Sequence, residues 1–212
     1  MPPRGRLIAL EGIDGCGKST QASALAHALG ATLTHEPGAT AVGALLRRLL
    51  LAPDSPAPSP RAEALLMAAD RAEHVALVIE PALAGGHWVV TDRYSASTIA
   101  YQGYGRGLDP AGLGELVAWA AAGLVADLSV LVDVTVDVAA ARLAAGGRDG
   151  ADRMERLGPD FAARVRQGFL TQAAEDPARW LVVDGGADVE TVAAHIVASV
   201  RERFGDAPAP SR

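Results

Sequence analysis

Short apolar runs alternate along this chain with segments whose apolar residues recur every three or four positions. Leu7-Ile8-Ala9-Leu10 is an unbroken apolar run ending in glycines, the pattern of a parallel strand covered on both faces. After Lys18, the residues Ala22, Leu25, Ala26 and Leu29 keep helical spacing until Gly30 stops it. A second strand is expected over Thr32–His35, followed by a turn at Pro37-Gly38. Leu45, Leu46, Leu49 and Leu50 predict a short helix. Four prolines within 52–60 rule out a helix interior there and predict a loop. A long helical pattern covers 61–84, with a break expected near Pro81. Trp88-Val89-Val90-Thr91 reads as a strand, 103–107 as a glycine-rich loop, and Asp109-Pro110 as a helix start. Then come a buried strand over 128–134, a helix over 136–145 and a polar, mobile loop over 146–153. A helix after Pro159, a strand over 180–183 and a helix over 189–204 complete the pattern, and 205–212 reads as a disordered tail.

Five strand–helix alternations predict an α/β fold, a five-stranded parallel sheet flanked by helices on both faces. No internal repeat or linker divides it, so one domain is expected over 1–204. A length of 212 residues suits that reading. Half the residues are hydrophobic, enough for a sizeable core, and aromatics are only 4%, so Leu, Val and Ala must build it. Lys and Arg number 19 against 25 Asp and Glu, and the formal charge of −6 disfavours nucleic acid as a non-specific partner. Asp127 and Asp133 interrupt the longest apolar stretch, and the N-terminus has no signal-peptide pattern. The single cysteine, Cys16, excludes an intramolecular disulfide or a cysteine-rich metal site. A soluble, cytoplasmic protein without a membrane partner is expected.

The candidate chemistry starts at Gly12-Ile13-Asp14-Gly15-Cys16-Gly17-Lys18-Ser19, which fits G-x-x-x-x-G-K-[ST] between a strand and a helix. Glycines let backbone N–H groups converge on phosphate oxygens, and the helix that follows adds its positive end. Lys18 is placed to reach the β- and γ-phosphates of ATP. Ser19 is placed to give a hydroxyl to Mg²⁺, and Thr20 follows it on the first helical turn. Cys16 reads as a small filler of the loop. No N/T-K-x-D segment is present, which argues against a GTPase, and the chain is too short for a large motor ATPase. Val89-Val90-Thr91 leads into Asp92-Arg93, placing a carboxylate and a guanidinium at the sheet's carboxyl edge, where open α/β folds bind ligands. Arg93 offers a planar fork for phosphate, and Asp92 can organise Mg²⁺, directly or through water, or accept a proton. A surface ion pair at a strand end fits the same two residues.

Several motifs in order resemble the thymidylate kinase family. They begin with Glu11-Gly-Ile-Asp14-Gly-Cys-Gly-Lys-Ser-Thr and continue in Thr34-His35-Glu36-Pro37-Gly38-Ala39-Thr40. Glu63-Ala-Leu-Leu-Met67-Ala-Ala-Asp70-Arg71-Ala-Glu-His74 is similar to the family's E-x-L-L-F-x-A-D-R-x-x-H. Asp92-Arg93-Tyr94-Ser-Ala-Ser97-Thr98-Ile-Ala-Tyr101-Gln102 is the most specific match. Ala126-Asp127-Leu128, Leu131-Val132-Asp133 and Asp152-Arg153-Met154-Glu155 follow.

The resemblance implies a P-loop NTPase fold with a short lid over about 146–155. It implies transfer of a phosphoryl group from ATP, with Mg²⁺, to dTMP, giving dTDP for dTTP synthesis. In that pattern Lys18, Arg93 and Asp14 are catalytic, Arg93 holds the acceptor phosphate, and Asp14 approaches the acceptor's sugar and the metal region. Arg71 reads the thymine edge, with Met67 replacing the usual Phe that stacks on the base. Thr98 contacts the base, and Tyr101 blocks a ribose 2′-hydroxyl. Glu36, Arg47, Ser97 and Gln102 complete the dTMP-binding set, although Ser97 and Gln102 also suit packing or capping roles. Glu11 and His74 suit structural roles. No arginine lies within the phosphate loop, so the lid supplies it, with Arg148 and Arg153 as the catalytic candidates, Arg148 as the more mobile donor and Arg153 rather as a framework residue. His35 replaces an arginine, and Arg142 is a further contributor from the preceding helix. A homodimer is also implied. Two other readings stay open: a deoxynucleoside kinase, and a nucleotide-binding module with no acceptor.

Overall fold

The computed structural model describes residues 4–146 and 152–207. Strand β1 (Leu7–Glu11) leads through the phosphate loop into α1 (Lys18–Leu29), then β2 (Thr32–His35), α2 (Ala41–Leu51) and α3 (Pro60–His74). A π-helical turn at Val75–Ile79 joins α3 to α4 (Glu80–Ala84), and β3 (Val89–Asp92) follows. Next come α5 (Ser95–Thr98), which runs on into a π-helical segment at Ile99–Gly105, and α6 (Pro110–Ala120). The chain closes with β4 (Leu128–Asp133), α7 (Val136–Ala145), a 3₁₀ turn at Glu155–Leu157, α8 (Pro159–Glu175), β5 (Trp180–Asp184) and α9 (Val189–Phe204).

All four strand pairings are parallel, and the order is β2-β3-β1-β4-β5. β1 therefore sits at the centre, where the winding reverses and a crevice opens beyond the strands' carboxyl ends. Its alternating side chains feed two cores. Ile8 and Leu10 pack with Val90, Val130, Leu25, Ile196 and Val200. Leu7 and Ala9 pack with Val89, Ile79, Leu83 and Ala121. Each fully buried Leu or Ile contributes roughly 1.5–3 kcal/mol before ordering entropy is charged against it. Asp127 fixes the entry to β1, accepting from Leu7 N at 2.8 Å and Arg6 Nη1 at 2.9 Å.

Three sequence expectations change or gain detail. The helix expected over 61–84 is interrupted ahead of Pro81, by the π turn at Val75–Ile79, where Glu80 N–H reaches back to Val75 O. A proline cannot donate to the ladder, and the wider turn absorbs that loss one residue earlier. Residues 103–105 are helical rather than loop. A Cβ on Gly105 would lie 2.6 Å from Phe161 of α8 and one on Gly103 would lie 3.4 Å from Leu113 of α6, so these glycines permit close packing against both helices. At the tail, Asp206 pairs with Arg201 at 2.9 Å and Ala207 packs against the core. The rest of that expected tail, 208–212, lies outside the described residues, as does 147–151 of the expected loop.

Candidate active site

One cleft of about 500 Å³ opens along the carboxyl edge of the sheet. The phosphate loop forms one side. Gly15 has φ +85°, and a Cβ there would meet Ala139 O at 2.4 Å. Gly17 caps α1 with φ +96°. These left-handed backbones exclude ordinary side chains and turn the loop's N–H groups inward. Residues 14–20 all line the cleft, while Gly12 and Ile13 form the root of the loop behind it. Cys16 is buried, and burial raises its thiol pKa.

Asp14 is the meeting point of two cations. Its Oδ1 accepts from Lys18 Nζ at 3.4 Å and Arg93 Nη2 at 2.5 Å, and Oδ2 accepts from Tyr101 Oη at 2.8 Å. Burial alone would raise the Asp14 pKa. The charges of Arg93 and Lys18 outweigh it and hold the carboxyl well below the usual range. Arg93 also donates to Gly12 O at 3.1 Å, Ser97 Oγ at 3.0 Å and Tyr101 Oη at 2.9 Å. Its φ of 72° is a left-handed backbone on a non-glycine residue. The neighbours hold it there: Arg93 N–H bonds Leu10 O, and Thr91 Oγ donates to Arg93 O.

Glu11 supports this turn from behind. It is fully buried and accepts from Tyr94 N at 2.9 Å and Ser97 Oγ at 2.6 Å. Burial raises its pKa from 4.5 to about 7, against the opposing pull of those bonds and of Arg93. The folded state thus keeps a proton over a range where the unfolded chain has lost it, and stability falls as pH rises through that range. Glu11→Gln, which imitates the protonated acid, removes this slope. Wild type should lose on the order of 3 kcal/mol relative to the variant between about pH 4.5 and 7. Urea unfolding of both proteins at several pH values checks it, and parallel pH profiles would refute the buried-proton account.

The other end of the cleft is built on Glu36, which takes Arg71 Nε at 3.0 Å and Nη2 at 2.8 Å through Oε2, and pairs with His74 Nδ1 at 2.9 Å through Oε1. Arg71 Nη1 donates to Thr98 Oγ at 2.9 Å and Nη2 to Tyr94 O at 3.0 Å. Met67 lies one helical turn before Arg71, and Met67, Arg71, Thr98, Tyr101 and Gln102 all line this end. His74 is fully buried between Glu36 and Thr34, a structural position. The Glu36-Pro37 peptide is cis, and Arg47 Nη1 donates to Pro37 O at 2.7 Å. His35 lines the cleft beside Asp92, its partner in the β2–β3 register.

Arg153 does not reach the cleft. Its Nε donates to Leu50 O at 2.7 Å and its Nη2 to Glu63 at 2.9 Å, a placement that suits the framework role weighed for it in the sequence. Asp152 and Glu155 explain the local turn: Asp152 Oδ1 accepts from Glu155 N at 2.9 Å, and Glu155 Oε2 accepts from Asp152 N at 3.1 Å. This is a reciprocal cap of the kind found at helix starts. Arg148 lies outside the described residues. Arg142 lines the cleft and ties the phosphate loop to the chain after β5, through Cys16 O at 3.2 Å and Gly185 O at 2.8 Å. Sequence reasoning gave no role to Arg106, which no motif marks, or to Asp70. Asp70 Oδ1 accepts from Gly38 N at 2.9 Å, and burial with the charge of Glu36 raises its pKa to about 6.

The donor set suits a hard cation. Among the described residues Asp92 Oδ1 is buried without a hydrogen-bond partner, and Ser19 stands exposed at the start of α1, so both can offer oxygen to Mg²⁺. Among the described residues no group of three or more His, Cys, Asp or Glu could hold a metal alone. Mg²⁺ usually relies on water and substrate phosphates for its remaining ligands.

Among the described residues, no helix is long and apolar enough to cross a membrane. A family model described as "Thymidylate kinase" matches residues 10–196. A thymidylate kinase of Prochlorococcus marinus (strain MIT 9303) is 46% identical over 212 residues, covering 95% of this chain and 96% of that protein. One of Synechococcus sp. (strain RCC307) is 48% identical over 210 residues, covering 94% and 97%. A crystal structure of thymidylate kinase from Ehrlichia chaffeensis matches with a TM-score of 0.78 at 30% identity, over 94% of this chain and 100% of that one. The sheet order and phosphate loop are those of a P-loop NTPase fold. With the match spanning strand, loop and cleft alike, the chain belongs to the thymidylate kinase family of phosphotransferases.

Proposed function

We propose that this chain transfers the γ-phosphoryl group of Mg²⁺-bound ATP to dTMP, giving dTDP and ADP. The observation that carries the reading is the convergence of Lys18 and Arg93 on Asp14 Oδ1, midway along one cleft. Two phosphate-binding cations at one point suit a donor and an acceptor phosphate brought together.

ATP lies with its phosphates on residues 12–20. The acceptor lies with its base against Met67, Arg71, Thr98 and Gln102 and its phosphate toward Arg93 and Arg47. The Tyr101 ring, packed edge-on against Phe161 and Phe169, excludes a ribose 2′-hydroxyl. The acceptor's phosphate oxygen attacks the γ-phosphorus in line, and the bond to the β-phosphate oxygen breaks. That oxygen is already anionic at neutral pH, so alignment and charge neutralisation do the catalysis. Lys18 and Arg93 supply positive charge, and Arg148 adds more from the lid over about 146–155. Mg²⁺, held by Ser19 and by Asp92 directly or through water, neutralises the phosphates when bound. The protein acts in the cytoplasm as a homodimer, in which a second copy covers exposed Leu65, Leu77 and Trp119.

Product analysis tests this. With ATP, Mg²⁺ and dTMP, chromatography is expected to show dTDP and ADP formed one to one. ADP without dTDP would leave a nucleotide hydrolase instead.

A further inference from the structure

Glu63 on α3 is fully buried and does not line the cleft, yet four donors converge on it. Oε1 accepts from Gln102 Nε2 at 3.0 Å and Arg106 Nε at 3.1 Å. Oε2 accepts from Arg106 Nη2 at 2.8 Å and Arg153 Nη2 at 2.9 Å. Those four bonds fill the acceptor positions of an ionised carboxylate. Burial would raise the Glu63 pKa, but the bonds from Arg106, Gln102 and Arg153 hold it below the ordinary value. An ionised carboxylate accepts hydrogen bonds and donates none. The Gln102 amide beside it is therefore left with one orientation. Its NH₂ faces Glu63, and its Oε1 is turned the other way. Gln102 lines the cleft with Met67, Arg71 and Thr98, and among the described residues its Oε1 has no donor.

We infer that Glu63 is a positioning residue for base recognition, fixing the Gln102 amide so that its carbonyl oxygen faces the acceptor's base and selects a pyrimidine carrying an N3–H. The inference rests on the reading of this end of the cleft as the dTMP site. Arg71, with four of its N–H groups on Glu36, Thr98 and Tyr94, offers its remaining Nη1 N–H there, and Gln102 offers an acceptor. A 4-oxo pyrimidine presents the complement, the O4 acceptor beside the N3–H donor. Cytosine presents the reverse, an N4 donor beside a bare N3. It would set donor against donor at Arg71 and lone pair against lone pair at Gln102. Arg106 and Arg153 act one step further back, by keeping Glu63 charged and in place.

The test is kcat/KM for dTMP, dUMP and dCMP with wild type, Glu63→Gln and Glu63→Asp. Both dUMP and dCMP lack the 5-methyl group, so their ratio isolates the N3/C4 edge. In Glu63→Gln the new amide keeps its oxygen on the two arginines and turns its NH₂ to Gln102. Gln102 then rotates and presents NH₂ to the cleft. The dUMP-to-dCMP ratio is expected to fall at least about tenfold, mostly through KM. Glu63→Asp, which keeps an ionised acceptor, is expected to hold the ratio. A folded Glu63→Gln that loses both activities equally, with the ratio within about twofold of wild type, overturns the inference and leaves Glu63 as a packing residue. Should Glu63→Gln fail to fold, binding of N3-methyl-dTMP to wild type decides. Affinity equal to that of dTMP overturns the inference, and loss of about tenfold or more supports it. Wild type inactive on dTMP would instead refute the function on which the inference rests, so the two failures are distinguishable.

Discussion

Arg93→Ala is expected to lower kcat/KM for dTMP by about 10³-fold, the scale seen when one charged transition-state donor is removed. The guanidinium lies between the phosphate loop and the end of the cleft proposed for the acceptor, bonded to Gly12 O, Ser97 Oγ, Asp14 and Tyr101 Oη. On the proposed reading its loss removes the charge opposite the acceptor phosphate, and it leaves Lys18 as the cation on the Asp14 carboxylate, with Tyr101 Oη still donating to Oδ2. The backbone supplies an internal control. Arg93 sits at φ 72°, where a side chain costs about 1–2 kcal/mol and glycine costs nothing. Arg93→Gly should therefore be more stable than Arg93→Ala by about 1 kcal/mol and equally inactive. Urea unfolding and a coupled kinase assay on both variants check this. A glycine variant that recovered activity would show that backbone strain, not the guanidinium, limits the alanine variant.

Lys18→Met is expected to lower kcat by a similar factor, about 10³-fold, with a different signature. Lys18 Nζ lies 3.5 Å from Ile13 O, inside the phosphate loop, and touches the acceptor side only through Asp14 at 3.4 Å. The network of Glu36, Arg71 and Thr98, proposed to take the base, is assembled without it. Loss of Lys18 should thus remove neutralisation of the ATP phosphates and leave the dTMP Kd within about threefold, as titration calorimetry without ATP would show. A collapse of dTMP affinity would mean that the two halves of the cleft are not independent. In Arg93→Ala, by contrast, dTMP binding should weaken along with turnover.

The two ends of this cleft were not equally legible in the sequence. The phosphate loop declares itself, because left-handed backbone at Gly15 and Gly17 admits little but glycine and so leaves a mark at fixed spacing. The strands were legible because a sheet covered on both faces leaves no polar position in runs such as Leu7–Glu11 before its end. Arg153 shows the limit. Its charge could be read, but its direction is set by Glu63, 90 positions away, and by Leu50 O. Helix over 99–105 was hidden for a related reason. Gly103 and Gly105 look like breakers, and only the approach of Leu113 and Phe161 shows why small residues belong there. Arg106 carries no motif at all, and its role appears only when Glu63 is seen buried beneath it.

The central claim is that one cleft holds ATP at Lys18 and a thymidine monophosphate at Arg71, with Arg93 on the acceptor's phosphate. Initial rates of ADP release with Mg²⁺ and ATP, across dTMP, dUMP, dCMP, AMP and thymidine, test it most directly. The account predicts the largest stimulation by dTMP, less by dUMP, and none by thymidine, which has no phosphate for Arg93. Stimulation by thymidine without any by dTMP would contradict it and move the chain's activity to the nucleoside.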